Sequence, residues 1–257
     1  MKRIIALLSL LLLHTATISA EDLFPHRGLY PKVATMELGE LYEKRGEVLI
    51  IDVRSSYEYD TLHIAGAQHL ALDDHEFTSS LQLLRKTDKR PMVFYCNGHT
   101  CKKSYQAAQK AARAGVATVY AYDAGIFEWT KAHPDEAVLL GKSPVNPDRL
   151  IGKEKLDAHL LDPEEFGRRA HKRAIVLDIR DNVQKDGINL FPVKQHSVPL
   201  DNGKLKGYVD TAKAEGKTLL IYDAVGKQIR WLQYYLEEEG VTDYFFMKGG
   251  AKAFLNY

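Results

Sequence analysis

The stretch from Met92 to Ser104 reads Met-Val-Phe-Tyr-Cys-Asn-Gly-His-Thr-Cys-Lys-Lys-Ser: an apolar run stops at Cys96 and a polar loop follows. An alanine-rich pattern with helical spacing occupies residues 105–113. This order of strand, loop and helix places the Cys96 thiol at the carboxyl end of a strand, beside a helix N-terminus. Backbone N–H groups converge there and the helix dipole favours an anion, so we expect Cys96 to be a reactive thiolate at neutral pH.

Apolar runs closed by charged residues alternate with helical patterns along the rest of the chain. Runs of this kind are typical of strands that are buried on both faces of a parallel sheet. The predicted strands cover residues 48–54, 92–95, 116–122, 175–180 and 218–223, and the predicted helices include residues 35–44 and 76–84. The sequence therefore predicts an α/β fold.

The same order of motifs occurs twice. Asp52-Val53-Arg54 returns as Asp178-Ile179-Arg180, and the strand that leads to Cys96 returns as the strand that leads to Asp223. Matched positions lie roughly 125 residues apart, which is the pattern of an internal repeat. We therefore expect two copies of one unit, each a small parallel β-sheet flanked by helices on both faces.

The first twenty residues differ from the rest of the chain. Lys2 and Arg3 precede an apolar run over residues 4–13, and small residues lead to Ala20. This pattern is typical of a secretory signal peptide, residues 1–20, and the run is short of the ~20 residues that a membrane-spanning helix needs. We expect cleavage after Ala20 and export, to the periplasm in a Gram-negative source, with no stable membrane insertion afterwards. An anchor that stays uncleaved is the alternative.

The remaining chain divides at residues 141–147, which have the composition of a linker. We predict one domain over residues 21–145, which contains Cys96, and a second over residues 146–257, which lacks it. Both cysteines of the 257-residue chain lie in one loop, which indicates chemistry rather than a disulfide scaffold. The formal net charge of +1 gives no electrostatic reason to expect a nucleic acid partner.

The first unit contains a set of motifs in a fixed order: Asp52-Val53-Arg54, Tyr57-Glu58-Tyr59, His63-Ile64-Ala65-Gly66-Ala67, Tyr95-Cys96 and Gly125-x-x-x-Trp129. Together they resemble a rhodanese (thiosulfate sulfurtransferase) domain. The second unit resembles a degenerate copy. The resemblance implies an enzyme in which Cys96 takes a sulfane sulfur from thiosulfate, a polysulfide or a persulfide, and the signal-peptide pattern implies that this enzyme is exported. It then passes the sulfur from its own persulfide to a thiol, cyanide or a protein, and needs no organic cofactor and no metal.

The loop after Cys96 is predicted to bind the sulfur-containing anion. A persulfide ends in an anionic sulfur, which needs hydrogen-bond donors around it. The loop amides, the side chains of Asn97 and Thr100 and the charge of Lys102 supply such groups. The predicted substrate-binding residues are Asn97, Gly98, His99, Thr100, Cys101 and Lys102. Of these, His99 is expected to face solvent.

Three further residues are predicted not to react. Asp52 and Arg54 end a strand, and we expect them to support the site by holding loop groups in place. Asp223 stands where Cys96 stands in the first unit, and a carboxylate cannot carry sulfur. We also do not expect a carboxylate in a cradle of N–H groups that substrate fills. The second unit is therefore predicted to lack catalysis and to pack against the first, complete its cleft or bind a partner.

The loop departs from the rhodanese pattern Cys-x-x-Gly-x-Arg-Ser. Gly98 comes early, Cys101 stands near the position of the arginine, and Ser104 comes two residues late. Related phosphatases have a longer loop that ends in arginine. Lys102 lacks the planar fork with which arginine holds a phosphoryl group, so phosphatase activity is the weakest alternative.

Cys101 leaves two interpretations open. It is either a second redox-active thiol, which resolves the persulfide or forms a disulfide with Cys96, or a small residue at a helix start. The first supports an alternative function, a redox- or sulfur-sensing binding protein that cycles between dithiol and disulfide. Metal binding by Cys96, His99 and Cys101 is disfavoured, because three ligands on one loop lack the distant fourth of the usual tetrahedral site.

Overall fold

The computed structural model describes residues 23–185 and 187–256. The signal peptide predicted for residues 1–20 lies outside these residues, so its cleavage stays a prediction. Within the described part of the chain, no helix is long and apolar enough to cross a membrane.

The first half of the chain surrounds a four-stranded parallel sheet. Its elements are α1 (Leu38–Lys44), β1 (Leu49–Asp52), α2 (Ser56–Thr61), β2 (Leu62–Ile64), β3 (Gln68–His69), α3 (Phe77–Thr87), β4 (Met92–Tyr95), α4 (Lys103–Arg113), β5 (Val119–Tyr122), α5 (Gly125–Ala132) and β6 (Ala137–Leu139). The strands of the sheet pair in the order β3-β1-β4-β5. Strands β2 and β6 form a separate antiparallel pair.

The second half surrounds a five-stranded parallel sheet. Its elements are α6 (Lys153–Asp157), β7 (Leu160–Leu161), α7 (Pro163–Ala170), β8 (Ala174–Asp178), α8 (Asn182–Lys185), β9 (Gln195–Ser197), α9 (Asn202–Glu215), β10 (Thr218–Tyr222), α10 (Ile229–Glu238), β11 (Tyr244–Met247) and α11 (Gly250–Leu255). The strands pair in the order β7-β11-β10-β8-β9.

The two halves have the same strand order. In the first half, Thr35 forms a parallel bridge with Ala121 of β5. This bridge corresponds to the pairing of β7 with β11 in the second half. Counted from there, the orders are Thr35-β5-β4-β1-β3 and β7-β11-β10-β8-β9. The predicted fold class is therefore confirmed: the protein has two α/β units, each with a small parallel sheet.

Both faces of each sheet are buried, which explains why the strands are continuous apolar runs. Successive side chains of a strand point to opposite faces. In β4, Val93 and Tyr95 join one core layer while Met92 and Phe94 join another, and all four are buried. Strand β10 divides between two layers in the same way. Each unit therefore has a core layer on either side of its sheet.

Some elements are shorter or longer than the sequence predicts. The strand predicted over residues 116–122 begins only at Val119, because Thr118 before it has a positive φ of 56°, which extended backbone does not allow. Helix α1 begins at Leu38 rather than residue 35, since Thr35 is engaged in its bridge to β5. Helix α3 continues to Thr87, beyond the predicted end at residue 84.

The segment predicted as a linker, residues 141–147, is exposed except at Val145. Val145 is buried, and Ile151 shortly after it is fully buried in the core of the first unit. Trp231 and Tyr234 of α10 enter the same core layer from the second half. The two units therefore share apolar packing, and the domain boundary at residue 145 stays a prediction.

A buried hydrogen bond at this junction predicts a loss of stability on mutation. The hydroxyl of Tyr234 accepts from the backbone N–H of Ile151 at 2.9 Å. Tyr234→Phe leaves that buried N–H without its acceptor, so we expect the free energy of unfolding, measured in urea, to fall by about 1–3 kcal/mol.

The matched control is Tyr235→Phe, one residue along the same helix. The Tyr235 hydroxyl is buried without a hydrogen-bond partner among the described residues. Its removal should leave the free energy of unfolding nearly unchanged. Equal losses in Tyr234→Phe and Tyr235→Phe would contradict the role given to the Tyr234 hydroxyl.

Candidate functional site

The cysteine loop, residues 96–102, joins β4 to α4 at the carboxyl edge of the first sheet. Tyr95 ends the strand and Lys103 begins the helix. The Cys96 side chain is fully buried. Its backbone carbonyl accepts from the N–H of Ile126 at 3.1 Å, which ties the loop to the start of α5. The strand–loop–helix arrangement around Cys96 is the one predicted from the sequence.

Only glycine at position 125 lets α5 approach the cysteine loop this closely. Gly125 has a φ of +73°, and a Cβ there would lie 2.5 Å from Cα of Gly98 and 2.6 Å from the carbonyl carbon of Asn97. Gly250 allows the same close approach in the second unit. It has a φ of +62°, and a Cβ there would lie 2.6 Å from the carbonyl oxygen of Asp223. Both positions therefore need the conformational freedom and the small size of glycine.

Cys96 and Cys101 form a disulfide inside the cysteine loop, with their Cα atoms 6.4 Å apart. The N–H of Cys101 donates to the carbonyl of Gly98 at 2.7 Å, and this turn brings Cys101 back toward the end of the strand. Cys96 is fully buried, whereas Cys101 is partly exposed. The geometry supports the interpretation of Cys101 as a redox-active partner of Cys96.

Asp52 and Arg54 form a buried ion pair that reaches the cysteine loop through Asn97. Arg54 Nη2 lies 2.5 Å from Asp52 Oδ2, and Arg54 Nη1 donates to Asn97 Oδ1 at 3.2 Å. The side-chain amide nitrogen of Asn97, Nδ2, donates in turn to Oε1 of Glu58 at 2.9 Å. Burial acts to lower the pKa of the Arg54 guanidinium, but the charge and hydrogen bonds of Asp52 outweigh it and raise that pKa above its ordinary value. Arg54 is thus a permanent cation that holds the start of the loop.

The second unit covers this ion pair, a contact that sequence reasoning missed. The Arg54 guanidinium lies 5.1 Å from the ring centroid of Trp231 and 5.6 Å from that of Tyr95. Arg230, next to Trp231, lies 4.0 Å over the ring of Phe127 in α5. Desolvated cation–π contacts contribute about 2 kcal/mol or more each. No local pattern could predict the contacts with Trp231 and Phe127, because each of them joins residues from different units.

Residues ahead of helix α1 also lie on the cysteine loop. The ring centroids of Phe24 and His99 are 4.6 Å apart, and the His26 ring forms a 3.0 Å hydrogen bond with the carbonyl of Thr100. His99 is therefore half-buried under Phe24 rather than facing solvent as expected. Phe24 and His26 belong to no motif, and nothing in the sequence distinguished them from a lead-in segment.

In the matching loop of the second unit, backbone N–H groups bind the carboxylate of Asp223, the residue that begins the loop. The Asp223 carboxylate accepts from four successive N–H groups, those of residues 225–228, with three N···O distances of 3.1, 2.7 and 2.6 Å. The expectation that a carboxylate has no place in such a cradle is therefore wrong. The side chain itself takes the place that a bound anion would have. This loop shows that the turn gathers N–H donors around one negative charge.

In the cysteine loop, the N–H of Cys101 donates to the carbonyl of Gly98, whereas the N–H groups of residues 97–100 have no backbone acceptor among the described residues. The hydroxyl oxygen of Ser104 lies 4.0 Å from the Cys96 sulfur. Thr100 and Lys102, predicted as a donor and a positive charge for substrate, are exposed. The loop can thus offer backbone donors to an anionic sulfur on Cys96.

No metal cluster accompanies these groups in the described part of the chain. There, no set of three or more His, Cys, Asp and Glu residues is arranged to hold a metal ion. What the site can do chemically rests on the two thiols, which attack sulfur when reduced and form a disulfide when oxidised.

Comparison with known proteins finds a family model and curated relatives that match this chain. The family model described as "Rhodanese-like domain" matches residues 36–132. The thiosulfate sulfurtransferase GlpE of Coxiella burnetii is 32% identical over 107 residues, which make up 41% of this chain and 92% of that protein. The tRNA uridine(34) hydroxylase of Salmonella typhi is 24% identical over 153 residues, or 56% of this chain and 40% of that protein.

Solved structures include two similar sulfurtransferases. The thiosulfate sulfurtransferase of Pseudomonas aeruginosa has a TM-score of 0.35 at 19% identity, over 91% of this chain and 45% of that one. A human single-domain sulfurtransferase has a TM-score of 0.33 at 26% identity, over 38% of this chain and 96% of that one.

The two loop glycines provide a matched pair of variants. Gly125→Ala should displace the cysteine loop and slow the formation of the Cys96–Cys101 disulfide, because the new Cβ overlaps Gly98. Gly250→Ala should displace the Asp223 loop and leave that rate unchanged. Both variants should lose about 1–3 kcal/mol of folding free energy through backbone strain.

The measurement is the rate of thiol loss after the reduced proteins are mixed with a fixed amount of oxidant, alongside urea denaturation. A wild-type rate in Gly125→Ala would show that α5 does not position the cysteine loop. Equal slowing in both variants would show a general effect of lost stability.

Proposed function

The chain belongs to the rhodanese-like domain family, and from this we propose that it is a sulfurtransferase in which Cys96 carries a sulfane sulfur as a persulfide. Sulfur transfer is the general activity that relatives of this family support. The relative named thiosulfate sulfurtransferase supports thiosulfate as one donor.

One observation supports Cys96 as the sulfur carrier above all others. Cys96 occupies the position at which the second unit holds the Asp223 carboxylate with four backbone N–H groups. A persulfide is anionic at its outer sulfur, so the same turn geometry suits it. The N–H groups at the corresponding positions are those of residues 98–101. Those of residues 98–100 have no backbone acceptor among the described residues, whereas that of Cys101 donates to the carbonyl of Gly98.

The proposed first step is a displacement on thiosulfate. The Cys96 thiolate attacks the sulfane sulfur, a sulfur–sulfur bond forms on Cys96, and the bond to the sulfonate sulfur breaks. Sulfite leaves with the electron pair, and the charge of the thiolate passes to the new outer sulfur. A thiol, cyanide or protein acceptor then removes that sulfur and regenerates the thiolate. The donors around the outer sulfur stabilise the persulfide and the negative charge that develops in both steps.

The second unit is proposed to support this chemistry rather than to repeat it. Asp223 fills its own cradle, and Trp231 covers Arg54, which holds Asn97 at the start of the cysteine loop. We propose that the protein acts after export, on the strength of the signal-peptide pattern in residues 1–20. A periplasmic location would provide the oxidising conditions in which the Cys96–Cys101 disulfide persists.

A second candidate function rests on that disulfide. A redox- or sulfur-sensing protein would use the Cys96–Cys101 pair as a two-state element and pass the change to a partner. In that case the disulfide is the functional oxidised state, and sulfur transfer is absent. Both candidates need Cys96, and only the redox protein also needs Cys101, so an experiment must separate sulfur loading from disulfide formation.

Intact mass after thiosulfate treatment separates them. The protein is reduced, freed of reductant under anaerobic conditions and treated with thiosulfate, as wild type, Cys96→Ser and Cys101→Ser. We expect Cys101→Ser to gain one sulfur, about 32 Da, which a reductant removes as expected of a persulfide. Sulfite should appear in the same amount.

Cys96→Ser is the matched control, because it keeps Cys101 and the fold but lacks the proposed carrier. It should gain no sulfur and release no sulfite. If neither serine variant gains sulfur and the wild type only forms its disulfide on oxidation, the sulfurtransferase proposal is wrong and the redox protein remains.

A further inference from the structure

We propose that Cys101 is the resolving nucleophile of this enzyme: it attacks the Cys96 persulfide and releases the carried sulfur as sulfide. This inference rests on the proposed function of Cys96 and adds a specific acceptor to it. It makes the protein a reductive sulfurtransferase that needs an external dithiol to complete each turnover.

The inference rests on the positions of the sulfur atoms of Cys96 and Cys101. The disulfide shows that the Cys101 sulfur reaches Cys96 Sγ within the folded loop. Cys96 Sγ is also the inner sulfur of the proposed persulfide. Cys101 can therefore attack that atom without moving β4 or α4. Attack by a group held this close has an effective concentration far above that of any dissolved thiol.

The surroundings of Cys101 favour its thiolate. Cys101 lies two residues ahead of the first residue of α4, an eleven-residue helix, where the helix dipole stabilises an anion. Lys102 and Lys103 follow it directly and bring positive charge. Lys103 is partly neutralised by Asp73 at 2.6 Å, whereas the side chain of Lys102 is exposed.

The step balances without an outside oxidant. The Cys101 thiolate forms a bond to Cys96 Sγ, and the bond between Cys96 Sγ and the outer sulfur breaks. The outer sulfur, which is anionic in the persulfide, leaves with that electron pair. It takes up the proton that Cys101 gives up on becoming a thiolate, so the product is hydrosulfide. Two cysteine thiols are oxidised to one disulfide, and the sulfane sulfur is reduced to sulfide. A dithiol reductant, a protein or a small molecule, must then reduce the disulfide.

The exposure of the two cysteines determines which sulfur of the disulfide the reductant attacks. Cys101 is partly exposed and Cys96 is fully buried, so an incoming thiolate reaches the Cys101 sulfur first. Attack there forms a mixed disulfide on Cys101 and frees Cys96 as the thiolate. The Cys96 thiolate is then free to react with the next thiosulfate.

The test is a single turnover without added thiol. Reduced wild type and Cys101→Ser are freed of reductant, given one equivalent of thiosulfate under anaerobic conditions, and assayed over time for sulfite, sulfide and intact mass. Both should release sulfite. Wild type should then release one sulfide per chain and lose about two hydrogens as its disulfide forms. Cys101→Ser should keep its sulfur, and its sulfide release should be slower on the order of 100-fold or more.

Three controls make the result decisive. Cys101→Ala should behave like Cys101→Ser, since neither can attack sulfur. The wild-type rate should not change with protein concentration, because the attack is intramolecular. Dithiothreitol should restore sulfide release to both variants.

The outcomes separate this inference from the proposed function. If wild type releases sulfite but keeps a stable persulfide on Cys96, Cys101 does not resolve it and the inference is wrong while the function stands. Sulfur found on Cys101 by peptide mapping would also overturn the inference, since Cys101 would then have attacked the outer sulfur. If wild type and Cys101→Ser release no sulfite at all, the proposed function itself fails.

Discussion

Backbone N–H groups that converge at the carboxyl end of a parallel strand need a negative partner, and the two units of this protein meet that need in different ways. In the second unit the partner is the carboxylate of Asp223, which accepts from the N–H groups of residues 225–228. In the first unit, Cys96 stands at the same position and brings a sulfur that is anionic only as a thiolate or persulfide. The second unit therefore satisfies its donors with its own side chain, whereas in the first unit the N–H groups of residues 97–100 have no backbone acceptor among the described residues.

The rest of the fold keeps the cysteine loop in position. Arg54 reaches Asn97 from a buried ion pair, Gly125 allows α5 to touch the loop, and Trp231 brings the second unit onto Arg54. The second unit thus helps to hold the cysteine loop in position, although it has no sulfur-carrying residue of its own. The disulfide between Cys96 and Cys101 places the sulfur of Cys101 on Cys96 Sγ, the atom that is proposed to carry the transferred sulfur.

Local sequence patterns predicted much of the fold, because each strand is a short apolar run with buried neighbours on both sides. The repeat, the end of β4 at Tyr95 and the helix after the cysteine loop followed from such patterns. The contacts that complete the site did not. Trp231 and Phe24 approach the loop region from distant parts of the chain. The self-filled cradle of Asp223 was also missed, because its four donors depend on the exact turn of the backbone rather than on side-chain type.

The central claim is that the cysteine loop holds an anionic sulfur on Cys96 with backbone N–H groups. A crystal structure of Cys101→Ser treated with thiosulfate tests it most directly, since this variant cannot close the disulfide. The account predicts an added sulfur on Cys96 within hydrogen-bonding distance of N–H groups from residues 97–100. An unmodified Cys96, or an added sulfur that none of these N–H groups approaches, would contradict it.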